Sequence, residues 1–233
     1  ARALSKRWKA VVRKYLIDEN TMLAAGNCQT SQAMAIYYNI FEPAERKAAF
    51  EQLINLIEEQ EYHLDVGVLG GRVLFHVLTE FGYSDLAFSM ITRPDYPSYG
   101  NWIARGATTL WEVFQPEGSD RIGSLNHHFW GDISSWFTQA LSGIRMAPHG
   151  EPNEVDFRPS FISRLTHAEA FHIAPAGRIA SAWERDEDDV IVLTVKLPST
   201  MHGVIRLESG YVFEDDLAYK AAESGTYRIH SIE

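Results

Sequence analysis

Met146-Ala-Pro-His-Gly-Glu-Pro-Asn153 divides the chain into two kinds of pattern. Its two prolines and its glycine suit neither a helix nor a central strand, so the segment reads as a linker. Upstream, apolar residues recur at helical spacing. Phe50, Leu53, Ile54 and Ile57 form one face, and Val73, Leu74, Val77, Leu78 and Phe81 another. Pro43 suits a helix first turn, Gly82 a C-terminal cap and Ser84 an N-terminal cap. Further helices are expected over residues 1–15, 29–39, 85–91, 108–113 and 124–141, giving six or seven in all. Downstream the period changes to two. Ile191, Leu193, Val195 and Leu197 alternate with polar neighbours, and the acidic run 185–189 separates them from Ile179–Trp183, which predicts a hairpin. That run reads as a solvated turn. More short strands are expected near 204–207, 211–213 and 227–229. The expected architecture is α+β: a helical domain over residues 1–146 and a small antiparallel β-sandwich over 147–233.

Composition sets bounds around this plan. The chain has 233 residues, 45% hydrophobic and 22% charged, which suits a globular fold. A net charge of -10 argues against a nucleic-acid partner. No apolar run approaches the ~20 residues of a membrane-spanning helix. A single cysteine, Cys28, excludes an internal disulfide and favours a reducing compartment, so a cytoplasmic location is expected. Residues 1–15 carry six basic and no acidic residues, without the apolar core of a signal peptide. There is no initiator Met, and the chain reads as starting inside a larger protein.

Residues 93–131 concentrate the groups that could do chemistry. Arg93-Pro-Asp-Tyr-Pro-Ser-Tyr-Gly-Asn-Trp102 reads as a loop with three aromatics. These either cap the core or wall a site for a ring-shaped ligand. In Arg105-Gly-Ala-Thr-Thr-Leu-Trp-Glu-Val-Phe114, Glu112 lies between Trp111 and Val113. A carboxylate stripped of water there would be a strong proton acceptor; on a helix surface it would be an ordinary Glu. Gly123-Ser-Leu-Asn-His-His-Phe-Trp-Gly131 puts Asn126, His127 and His128 in the expected first turn of a helix capped by Ser124. Adjacent histidines do not share a helix face, and no third ligand stands at a useful spacing, so no metal is expected. His63-Leu-Asp-Val-Gly67 lacks the phosphate-loop Lys-Ser/Thr, so no nucleotide or other cofactor is expected. His63 and Asp65 read as loop hydrogen-bonders or as polar groups at the mouth of a site.

Gln29-Thr-Ser-Gln32, His63-Leu-Asp-Val-Gly67, Tyr96-Pro-Ser-Tyr-Gly100, Gly106-Ala-Thr-Thr-Leu-Trp-Glu112 and Ser124-Leu-Asn-His127, in this order, resemble the C-terminal part of bacterial α-L-rhamnosidases, glycoside hydrolase family 78. The resemblance covers essentially the whole chain. It implies the C-terminal half of an (α/α)6 barrel followed by a β-sandwich, and hydrolysis of terminal α-L-rhamnosides with inversion. It places Glu112 as the general base and His127 in the sugar pocket, with Trp102, Tyr99 and Trp111 about the site and His63 and Asp65 at its mouth. Asp65, Glu80 and Asp132 do not match the family's acid motif, so no residue here is expected to be the general acid. The expected partners are a rhamnose-containing glycoside and either the other half of the barrel or a second copy of the chain, with no membrane. The alternatives are another (α/α)6 enzyme, such as an unsaturated glucuronyl hydrolase, or a non-catalytic sugar-binding or assembly subunit.

Overall fold

A computed structural model of the chain describes residues 1–119, 123–148 and 150–232. It divides into two compact units, Ala1–Ile133 and Ser134–Glu233.

The first unit is helical. Helix α1 (Arg2–Leu16) leads through a two-rung ladder, β1 (Ile17–Asp18) with β2 (Leu23–Ala24), to α2 (Gln29–Tyr37) and α3 (Arg46–Glu59). Then come α4 (Val68–Gly71), α5 (Leu74–Glu80), α6 (Ser84–Thr92) and α7 (Tyr99–Ala104). The expected stripes face inward: Phe50, Leu53, Ile57, Leu74, Val77 and Leu78 are all buried. Gly82, at φ +83°, ends α5 as expected. Its amide donates to Thr79 O at 3.1 Å and that of Tyr83 to Leu78 O at 2.8 Å, the paired bonds of a Schellman cap. Helix α3 starts three residues beyond Pro43, and Ser84 is the first residue of α6 rather than its cap. Helix α1 has the expected amphipathic pattern but no buried residue. It is tied down by ion pairs: Arg13 grips Glu45 at 2.6 and 2.9 Å, and Lys9 reaches Glu42 at 2.9 Å. The guanidinium hydrogen bonds hold the Glu45 carboxyl below its ordinary range.

Gln29 and Gln32 are fully buried. Gln32 accepts from Ala24 N at 2.8 Å and donates to Met22 O at 2.9 Å and Ala49 O at 2.8 Å. Gln29 donates to His63 O at 2.8 Å and accepts from Asp65 N at 3.1 Å. These amides tie the loop backbone at Met22, His63 and Asp65 to α2, and link α2 to β2 at Ala24 and to α3 at Ala49.

Three expected helical or loop segments fold otherwise. Residues 108–113 are not helical, and no helix runs from 124 to 141. The latter stretch holds a 3-10 turn (His128–Trp130), helix α8 (Asp132–Trp136) and a π turn (Phe137–Leu141). Residues 110–112 and 124–127 bond to each other's backbone instead, as detailed below. The aromatic loop 93–102 runs into α7, whose first amides are capped by Ser98: its Oγ accepts from Asn101 N at 2.8 Å.

The second unit pairs two sheets. One is ordered β10 (Tyr219–Ala221), β8 (Val204–Arg206), β4 (Val155–Phe157), β3 (Ile144–Met146). The other is ordered β5 (His167–Ala174), β6 (Gly177–Arg185), β7 (Ile191–Lys196), β11 (Gly225–Ser231), β9 (Tyr211–Phe213). The five-stranded sheet is wholly antiparallel, while β4 and β8 pair in parallel. The expected hairpin is β6–β7, with Trp183 opposite Leu193 and Ser181 opposite Val195. Its acidic turn is held by Asp186 Oδ1, which accepts from the amides of Asp188 at 3.0 Å and Val190 at 2.9 Å. Both sheets feed one core that includes Val155, Phe157, Ile205, Ile179, Trp183, Leu193 and Ile229. The segment expected as a linker, 146–153, is instead the loop joining β3 to β4, closed by Ala147 N to Glu154 O at 2.8 Å. Its His149 lies outside the described residues.

Candidate active site

Gly106, at φ +84°, follows the end of α7 and turns the chain into an irregular run. That run is clasped by the segment after residue 122. Glu112 N donates to Ser124 O at 2.8 Å and His127 N to Leu110 O at 2.8 Å. Thr109 Oγ1 donates to Leu125 O. The Glu112 carboxylate accepts from Ser124 N at 2.8 Å, which fixes its orientation. Glu112 is half-buried. Two blocks that are separate in sequence therefore meet, residues 109–112 along residues 124–127. The His127 imidazole is half-buried and edge-on to Phe129, 4.5 Å between centroids. Its nitrogens have no hydrogen-bond partner among the described residues, which leaves a donor and an acceptor for a ligand.

Beneath this clasp lies an aromatic cluster. Trp102 stacks on Phe114 at 4.3 Å, Phe114 meets Trp130 at 4.6 Å, and Tyr99 stands edge-on to Trp102 at 5.4 Å. Trp130 Nε1 donates to Glu112 O at 2.9 Å, so the cluster holds the backbone that bears the carboxylate. Gly71 makes room for it, since a Cβ there would lie 2.6 Å from the Trp130 ring. Tyr99 and Trp102, expected as walls of a sugar site, are instead interior supports, 7% and 2% exposed. Burial, with Asp132 adding to it, pushes the Tyr99 hydroxyl well above its ordinary range. Trp111 is half-buried, 6.1 Å from Trp102, with the Arg105 guanidinium 5.2 Å above its ring.

His63 and Asp65 belong to another corner of this unit. His63 Nε2 lies 2.9 Å from Asp95 Oδ2 and Nδ1 lies 3.1 Å from Gln60 O. Arg93 first, then His63, hold the Asp95 carboxyl below its ordinary range. Asp65 is exposed. No hydrogen bond or ion pair among the described residues joins either residue to Glu112. Sequence reading passed over Phe114 and Trp130 as supports of the site. Their signal is aromatic spacing across two segments whose pairing only the fold reveals. No group of three His, Cys, Asp or Glu side chains suited to a metal occurs among the described residues.

The family model of the bacterial alpha-L-rhamnosidase 6 hairpin glycosidase domain matches residues 2–141, more than half of the chain. The chain belongs to the bacterial α-L-rhamnosidase family. The model of that family's C-terminal domain matches residues 153–210. An alpha-L-rhamnosidase of Streptomyces avermitilis is 31% identical over 179 residues, covering 74% of this chain and 17% of the relative. One from Formosa agariphila is 32% identical over 178 residues, 74% of this chain and 19% of the relative. The chain thus spans about a fifth of the length of these relatives. The S. avermitilis enzyme, solved in complex with L-rhamnose, superposes with a TM-score of 0.86 at 26% identity, covering 98% of this chain and 24% of that one. The Dictyoglumus thermophilum enzyme superposes at 0.83 with 24% identity, over 100% of this chain and 28% of that one, a likeness of fold. The helical unit is thus part of a six-hairpin barrel, followed by the family's sandwich. Among the described residues no helix is long and apolar enough to cross a membrane.

Proposed function

We propose that this chain supplies the general-base side of an inverting α-L-rhamnosidase, with the helical unit as part of its barrel and the two-sheet unit as its C-terminal domain. The observation that supports the reading is the clasp of 110–112 with 124–127, in which Ser124 N donates to the Glu112 carboxylate and His127 N donates to Leu110 O. Glu112 takes a proton from water, and the water oxygen forms a bond to the anomeric carbon. The glycosidic C–O bond breaks on the opposite face as a second carboxyl group protonates the leaving oxygen. His127 hydrogen-bonds the rhamnose, and Trp111 offers it an apolar flank. Inversion requires the two carboxyl groups about 6.5–9.5 Å apart, with room for water between them. No carboxylate of this chain is assigned as the acid, so turnover is proposed for the chain together with a segment or partner that supplies one.

The apolar stripe of α1 is proposed to be covered by a further barrel helix or by a second copy of the chain. The single free Cys28 suits a reducing compartment, and the cytoplasm is the proposed location.

The test is Glu112→Gln in the complete enzyme, assayed on an aryl α-L-rhamnoside with the first-formed anomer read by proton NMR. Loss of general-base help lowers turnover by about 10²–10⁴-fold at unchanged thermal stability. Near-normal turnover, or product that retains configuration, overturns the assignment.

A further inference from the structure

The second unit carries a cavity of about 740 Å³ that the reading above does not use. Its polar lining comes from Ser134 and Ser135 in α8, Gln139 in the π turn, Arg145 in β3, Arg158 just after β4 and His172 in β5. The β3–β4 register sets Arg145 opposite Asp156. Arg158 follows two residues on, its amide still donating to Gly143 O at 2.8 Å, so both arginines stand on one face of the ladder. Asp156 is buried, 1% exposed, and does not line the cavity. It accepts from Arg158 Nη2 at 2.7 Å, which fixes that guanidinium and leaves its Nη1 without a hydrogen-bond partner among the described residues.

The chemistry of this lining is one-sided. The chain has 31 acidic side chains against 21 Lys and Arg. Yet among the described residues the lining holds two arginines, a histidine and no carboxylate. A metal ion or an organic cation finds no acid there. The hydroxyls agree with the charges. Gln139 Nε2 donates to Ser135 Oγ at 2.7 Å, so the Ser135 proton is left to donate elsewhere. Ser134 Oγ has no hydrogen-bond partner among the described residues. The groove beside α1 differs, because its Lys9 and Arg13 already rest on Glu42 and Glu45. Guanidinium forks with hydroxyl donors around them complement an oxyanion on a hydroxylated carrier. The volume falls within the range of small-ligand sites. We propose that this cavity is an accessory site for an oxyanion, the carboxylate or sulfate ester of a hydroxylated compound, gripped by Arg145 and Arg158 and bonded by Ser134, Ser135 and His172. It shares no residue with Glu112 and His127, so it stands whether or not they bind rhamnose.

The test is calorimetric and NMR titration of the full chain, at fixed ionic strength, with D-glucuronate, D-glucose 6-sulfate, D-glucose and inorganic sulfate. At least one acidic sugar is expected to bind about tenfold tighter than glucose, the gain of one charge-assisted contact, and to shift the backbone amides of residues 134–139, 145 and 158. Which acidic sugar binds tells a carboxylate site from a sulfate-ester site. Arg145→Gln is expected to lower the preference over glucose at least about fivefold. Arg158→Lys is expected to do the same: it keeps a cation beside buried Asp156, so the unit stays folded, but loses the planar fork. A thermal melt verifies the fold of each variant. Glucose binding as tightly as both acidic sugars overturns the proposal, as does a failure of every probe to bind. A preference that neither variant lowers, or amide shifts confined to other residues, overturns it equally. Inorganic sulfate binding as tightly as the sugar sulfate overturns the hydroxylated carrier.

Discussion

Trp183 and Trp8 mark two ways of placing an indole. Trp183 sits at the centre of the sandwich, 2% exposed, its ring edge-on to Phe161 at 5.5 Å and its Nε1 donating to Leu141 O at 2.7 Å. Trp8 lies on α1, 61% exposed, in a row with Leu4, Val11 and Tyr15 that nothing among the described residues buries. Both sit in well-formed amphipathic patterns. The second unit buries the apolar face of β6 in its own core, while the first leaves the α1 stripe open. A pattern in sequence reports that a face is built to be covered; it does not report by what.

The sharpest test is therefore stability. Trp183→Ala removes a fully packed indole and strands Leu141 O. The expected loss is about 3–5 kcal/mol, read by denaturant unfolding of the chain with a probe in the sandwich. A loss under about 1 kcal/mol would mean that this core is not close-packed, and the contrast with α1 would vanish.

Gln32→Ala comes next. It leaves Ala24 N, Met22 O and Ala49 O without the side chain that bonds them. Unsatisfied buried groups cost about 1–3 kcal/mol each, but water entering the space returns part, so roughly 2–3 kcal/mol is expected. Gln32→Glu should cost as much or more, because a carboxylate cannot donate to the two carbonyls. A neutral effect of both would show that the helical unit is held by its apolar stripes alone.

These two sites also show how far sequence reading reached. The periods of 3.6 and 2 located most helices, the β6–β7 hairpin and the sandwich, because burial repeats in register with the backbone. They failed at 108–113 and 124–141, where helix-compatible residues are held extended or in short turns by bonds between distant segments, Glu112 with Ser124 and Leu110 with His127. Long-range pairing of this kind overrides local preference. The same bonds build the candidate site, so Glu112 and His127 were legible as motifs while the pairing of their segments was not. Tyr99 and Trp102 were singled out for being aromatic in a loop. Yet Ser98 caps a helix there, and both rings turn inward to support Trp111 and Trp130 rather than meet a ligand. The proline-rich segment 146–153 shows the same limit, for a hairpin loop and a linker need the same residues.

Trp8→Glu should act in the opposite sense to Trp183→Ala. Little packing is lost, so unfolding stability changes by at most about 0.5 kcal/mol. Self-association of the chain falls, because a charge now interrupts the exposed stripe. Light scattering against concentration gives the readout. A chain already monodisperse and monomeric before substitution would count against a cover by a second copy, leaving a further barrel helix as the proposed partner.

The smallest effect separates surface charge from packing as the glue of the helical unit. Asp95 accepts from Arg93 Nε and Nη2 at 2.9 and 2.8 Å and meets His63 Nε2 at 2.9 Å. Its carboxyl therefore titrates below its unfolded value of 3.8. A group depressed in this way contributes its stabilisation above the unfolded value and loses it as pH falls toward the folded one. The side chain is 53% exposed, so solvent screening discounts the gain to about 0.5 kcal/mol. Asp95→Asn should remove that amount at pH 7 and flatten the part of the acid loss that begins just below pH 4. Double-mutant unfolding with Arg93→Ala at pH 7 and pH 3 reads the coupling directly. A coupling above about 2 kcal/mol would mean that this cluster is effectively desolvated, and that ion pairs rather than the buried glutamines and apolar stripes set the stability of the helical unit.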